Sequence, residues 1–163
     1  MRLTGRIAIL VPKRVIDQLT NERTRHLPRE TGGFLLGMRR GAHLEITGPT
    51  LQGTTDRATP VSFERRDRSH AAAAQAAWAA RDGLIGLVGD WHSHPSGRAE
   101  PSEDDKRAWR DLVRATRSPS VGFIFADNGS LGVFVTRRSL PMGAVNSCHL
   151  IEETEDDLVF ATD

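Results

Sequence analysis

The chain has 163 residues, of which 38% are hydrophobic and 26% charged, with one cysteine and a formal net charge of +1. That length is about one ordinary domain, enough to bury roughly 70% of the unfolded surface, and the composition excludes a disordered chain, an intramolecular disulfide and a thiolate zinc cluster. Residues 1–83 carry 14 basic against 8 acidic side chains and residues 84–163 carry 8 against 13, but the arginines are scattered, so nucleic acid is not an expected partner.

The first apolar run, IAILVP (7–12), is too short for a signal core or a membrane span and is followed at once by Lys13 and Arg14. A cytoplasmic protein without a membrane partner is expected. GRIAILVP (5–12) reads as a strand, and KRVIDQLTNERTRH (13–26) as a helix with Val15, Ile16 and Leu19 on one side, ended near Pro28. TGGFLLGMRR (31–40) and AHLEITGPT (42–50) form a predicted hairpin around Gly41. After the polar segment 51–60 comes a short strand, VSFER (61–65). SHAAAAQAAWAARDG (69–83) is a helix rich in the best helix former, with Gly83 as its C-terminal cap. LIGLVGDW (84–91) is apolar enough for a strand buried on both faces. PSEDDKRAWRDLVRATR (101–117) opens with acids and continues with arginines, as a helix dipole favours. DNGS (127–130) joins two further strands, and the segment from 144 adds a last strand before an acidic end. The expectation is one domain over 1–163, with its core at about 5–138 and a short acidic tail.

Chemistry concentrates in GDWHSHPSGRAEPSEDD (89–105). Residues i and i+2 of a strand share a face, so His92 and His94 project together and can share one ion. A catalytic zinc typically has three protein ligands and an open position. Asp105 is the candidate third ligand, because Ser102 suits a helix N-cap and a residue three positions on lies in the first turn, whereas Asp104 points elsewhere. The same Ser102 and Asp105 also match a capping box, which closes a helix end without any metal, and the two roles can coexist. A cupin-like all-β barrel also uses His-x-His followed by Glu, with Glu100 nearby, but it conflicts with the two strong helices.

His92-x-His94, seven residues, then Ser102-x-x-Asp105, preceded by ETGGFLLG (30–37), resembles the JAMM signature of the JAB/MPN metalloprotease family over about residues 5–138. The resemblance implies an α/β fold with cytidine-deaminase-like layering, a central mixed, mostly antiparallel sheet flanked by helices. It implies one Zn²⁺ per chain on His92, His94 and Asp105, with Glu30 as general acid/base and Ser102 as a hydrogen-bond donor to the oxyanion. VGDWHSHPSG and PSEDDKRAW look most like bacterial JAB proteins associated with E1/E2-like antiphage systems, deconjugating isopeptidases acting at the C-terminal tail of a ubiquitin-like or conjugated protein. HSHPSG also resembles the RadC-type branch, although Ser93 stands where that branch usually has Asn. A non-catalytic MPN scaffold and a RadC-like DNA-associated protein are the alternatives.

Trp78, Trp91 and Trp109 are expected in the core, and Trp91 points away from the ligands by alternation. His26, His43, His70, His149 and Cys148 show no ligand spacing. Gly32 and Gly33 suit either close approach of a substrate strand or a bulge.

Overall fold

A computed structural model describes residues 5–138 and 143–163. Its elements are β1 (Ala8–Pro12), α1 (Lys13–His26), β2 (Gly32–Arg40), β3 (His43–Pro49), β4 (Arg57–Thr59), β5 (Ser62–Glu64), α2 (Arg68–Ala80), β6 (Gly86–Ser93), α3 (Glu103–Thr116), β7 (Ser120–Phe125), β8 (Leu131–Thr136), β9 (Val145–Glu153) and β10 (Asp157–Ala161). The three helices, of 14, 13 and 14 residues, rule out the all-β cupin alternative.

The sheet is mixed and mostly antiparallel, with β1 parallel to β3 and β6 parallel to β7. Where a central sheet flanked by helices was expected, the sheet closes on itself in the order β1-β10-β9-β8-β7-β6-β2-β3. Closure depends on the acidic C-terminal segment, which forms two strands rather than one and sets β10 along β1, with Ile9 opposite Phe160. A strand pairing between residues some 150 positions apart leaves no local trace in the sequence.

The polar segment after β3 contains β4, which pairs with β5 as a separate hairpin. Ile9, Val11, Leu35, Trp91, Phe123, Phe125 and Val135 form the larger core with Val15 and Leu19 of α1. Trp109 of α3 packs with Ile124 and Phe134 in a smaller one. Since Phe123 and Phe125 face one core and Ile124 the other, the strand buried on both faces is β7. β6 was expected to be that strand, but it alternates, with Trp91 and Ser93 inward and Asp90 and His92 only partly buried. Connecting parallel β6 and β7 requires a crossover, and α3 is that crossover.

Trp78 departs from expectation and is 58% exposed. Among the described residues of α2 only His70 is buried, so this helix lies on the surface, and the Trp78 ring rests over the bare backbone of Gly83 and Gly86. The end of α2 is capped as a Schellman turn, with the Gly83 N–H donating to the Trp78 carbonyl at 2.8 Å. Its left-handed residues are Asp82, at φ 49°, and Gly83, at φ 78°.

Gly32 and Gly33 do not form a bulge, since the register shifts of β2 fall later, at Leu35/Leu36 and Leu36/Gly37. A Cβ on Gly33 would overlap the Thr50 carbonyl, and one on Gly32 would press on the Trp91 carbonyl. Gly33→Ala should therefore cost about 1–3 kcal/mol or more, as overpacking does. The urea midpoint measures it; an unchanged midpoint would contradict the packing described.

Candidate metal centre

His92 lies near the end of β6, held on one side by Gly32 of β2 and on the other by Ile124 of β7. Two residues on, the His94 N–H donates to the Phe125 carbonyl at 2.7 Å, which continues the strand geometry and keeps both rings on one face. Asp105 enters from the first turn of α3.

The capping box forms as the sequence allowed. The Asp105 N–H donates to Ser102 Oγ at 3.1 Å, and the Ser102 N–H donates to Asp105 Oδ2 at 2.7 Å. The metal-facing geometry forms with it, because Asp105 Oδ1 lies 3.2 Å from His92 Nε2 and Oδ2 lies 3.6 Å from His94 Nε2. The two Nε2 atoms are 3.1 Å apart. Ligand atoms around one tetrahedral ion with bonds of about 2.0–2.1 Å stand about 3.3–3.4 Å from one another, so this triad has the right span. Among the described residues it is the one group of three or more such side chains close enough to share an ion.

The tautomer of His94 fits a ligand role. Its Nδ1 lies 2.9 Å from the Arg98 carbonyl, which can only accept, so Nδ1 carries the proton and Nε2 presents a lone pair to the centre. The Asp105 carboxylate, against the effect of burial, holds His94 above the usual histidine range. Burial disfavours ionised Asp105, but the His92 and His94 rings and the Ser102 N–H overcome this and hold it well below the ordinary carboxylate range. A deprotonated oxygen is the form in which a carboxylate could hold a metal.

Glu30 is 9% exposed and lines the same cleft, of about 430 Å³, as His92, His94, Ser102 and Asp105. Burial pushes its pKa up; the two histidines offset this in part and Asp105 adds to it. Its backbone N–H donates to the Thr59 carbonyl at 2.8 Å, so the β4–β5 hairpin, which forms one wall of the cleft, also anchors the acid.

Three groups at the site escaped the sequence reading. Ser93, fully buried between the two histidines, accepts the Thr31 N–H at 3.0 Å and donates its own N–H to the Thr31 carbonyl at 2.9 Å. These bonds tie the histidine strand to the residue after Glu30. Asp90 shares the face of His92 and His94, a position strand alternation alone would have marked.

The third group is a buried chain around His70. His70 Nε2 meets Asp56 Oδ2 at 2.7 Å and Nδ1 meets Thr50 Oγ1 at 2.6 Å. Asp56 also accepts the N–H groups of Gly53, Arg66 and Asp67. Thr50 accepts the Phe34 N–H and, at its carbonyl, the Trp91 indole N–H. The chain fastens the root of the hairpin and α2 to β2 and β6; its members are far apart in sequence, so no motif announces it. The remaining histidines lie apart from the triad, with His26 beside Glu22, His43 accepting the Ala8 N–H and His149 near Asp163. Glu100 is exposed beside Arg98.

The family model described as prokaryotic homologs of the JAB domain matches residues 12–141. A Pseudomonas aeruginosa protein named CD-NTase/cGAS isopeptidase is 36% identical over 101 residues, 61% of this chain and 64% of its own length. The protein of the same name from Vibrio cholerae is 31% identical over 111 residues, 68% of this chain and 71% of its own. That from Escherichia coli is 31% identical over 109 residues, 66% and 70% respectively. The solution structure of a Desulfitobacterium hafniense protein matches with a TM-score of 0.64 at 22% identity, covering 91% of this chain and 95% of that one, a likeness of fold.

If the triad holds an ion, calorimetric titration of metal-free protein should show one Zn²⁺ per chain, and His92→Ala or Asp105→Asn should weaken binding by about 100-fold or more as one of three ligands is lost. Equal affinity in wild type and both variants would contradict the site.

Proposed function

The chain belongs to the family of prokaryotic homologs of the JAB domain, and from that membership we propose that the cleft is the active site of a zinc-dependent isopeptidase. It hydrolyses the amide bond after the C-terminal residue of a ubiquitin-like or otherwise conjugated protein. The observation that carries this reading is the convergence of His92, His94 and Asp105 in a cleft that also holds the buried acid Glu30.

Zinc on His92, His94 and Asp105 would supply a Lewis acid and lower the pKa of a coordinated water to about 7. Glu30, its carboxylate held above the ordinary range by burial, takes a proton from the attacking water and passes it to the nitrogen of the leaving amine. Ser102 Oγ accepts from Asp105, which leaves its hydroxyl hydrogen to be donated to the oxyanion forming on the scissile carbonyl. The substrate tail lies along β5, whose Ser62, Phe63 and Glu64 line the cleft and whose strand partner among the described residues is β4 alone. Its free edge offers backbone groups to an added strand.

The names of the relatives direct the substrate towards a conjugated CD-NTase. A companion E1/E2-like enzyme system, a role in antiphage defence and a cytoplasmic location belong to the same proposal. A non-catalytic scaffold has no use for three matched ligands and a buried acid, and nothing in the cleft favours DNA.

Glu30→Gln leaves the three ligands in place. It should keep its zinc and lose about 100-fold or more in cleavage of a reporter amide-linked behind a CD-NTase C-terminal tail, the range of a lost general base. Cleavage equal to wild type would overturn the role of Glu30; no cleavage by zinc-loaded wild type would overturn this substrate.

A further inference from the structure

β6 and α3 meet along two rows of side chains. Asp90, His92 and His94 occupy one face of the strand, and Asp105 and Trp109, four residues apart, occupy one stripe of the helix. From His92 back to Asp90 is about 6.6 Å along a strand, and from Asp105 on to Trp109 is about 6 Å along a helix. The steps match, so both pairs meet. Asp105 Oδ1 lies 3.2 Å from His92 Nε2, and the Trp109 indole N–H donates to Asp90 Oδ1 at 2.7 Å.

A single contact at the start of α3 would leave the helix free to roll about its axis, which would swing Asp105 off the histidines. The second contact, one turn further on, removes that freedom. Trp109 is itself fixed: 1% exposed, it stacks on Phe134 with ring centroids 5.7 Å apart and lies over Gly122, where a Cβ would overlap the ring. The other Asp90 oxygen lies 3.9 Å from Arg65, whose guanidinium sits 4.2 Å above the Phe34 ring, so it makes no competing short bond there.

We propose that Asp90 and Trp109 are positioning residues for the metal centre, their hydrogen bond setting the rotation of α3 that presents Asp105 to His92 and His94. This rests on the metal-site reading above. Neither residue belongs to the His92–His94–Asp105 group, and a neutral acceptor at position 90 serves as well as a charged one.

Co²⁺ is the probe, with affinity read by calorimetry and ligand geometry by visible absorption, on metal-free protein whose folding is checked by circular dichroism. Trp109→Phe keeps a ring over Gly122 and removes the donor; Asp90→Ala removes the acceptor; Asp90→Asn retains an acceptor oxygen. Trp109→Phe and Asp90→Ala should bind Co²⁺ about 10–100-fold more weakly, with an altered visible band, and Asp90→Asn should stay within about threefold of wild type with the wild-type band, the range expected for partners that orient a ligand. Should Trp109→Phe fail to fold, the two Asp90 variants decide alone. Wild-type affinity and band in Asp90→Ala would overturn the inference, as would an Asp90→Asn as weak as Asp90→Ala. Wild-type protein that binds no Co²⁺ would overturn the metal reading itself, so the two failures are told apart.

Discussion

The cleft depends on how one carboxylate is shared. Asp105 must close the N-terminus of α3 and face two histidines on a neighbouring strand, and Oδ2, 3.6 Å from His94 Nε2, serves both demands. Oδ2 takes the Ser102 N–H at 2.7 Å, while Oδ1 stands 3.2 Å from His92 Nε2. The cap fixes where the helix begins, and the beginning of the helix fixes the third corner of the triad. Local helix chemistry and site geometry are therefore one constraint.

The fold supplies the surroundings that make this sharing possible. Parallel β6 and β7 require a crossover, and α3, as that crossover, starts close to where β6 ends. Backbone contact is close enough that Gly89, which pairs with Val121 across β6 and β7, has no room for a side chain. On the other flank β2 runs antiparallel to β6, and the reciprocal Ser93–Thr31 bonds carry that pairing to the residue beside Glu30. The acid and the histidines are thus neighbours through backbone bonds despite the 61 intervening positions from 31 to 91.

Much of the site was legible in the sequence because its rules are local. His92 and His94 share a face by strand alternation, Ser102 and Asp105 meet by helix capping, and both follow from spacing alone. Glu30 needed the family resemblance, since nothing within a few residues distinguishes it from a surface acid. The closed sheet was not legible, because β10 reaches β1 across nearly the whole chain. Trp78 misled because a large ring in an alanine-rich helix suggests an anchor, yet the ring lies over glycine backbone at the surface. The Asp56–His70–Thr50 chain was invisible for the opposite reason: three ordinary polar residues, 6 and 14 positions apart, become a buried network only once the hairpin folds back on β2.

His92, His94 and Asp105 are proposed to hold one ion in this cleft. Anomalous diffraction at the zinc edge, from crystals grown with zinc, tests it most directly. One peak per chain is expected, at about 2.0–2.2 Å from both Nε2 atoms and an Asp105 oxygen. Crystals with the cleft open to solvent and the zinc peak elsewhere, or no peak at all, would contradict it.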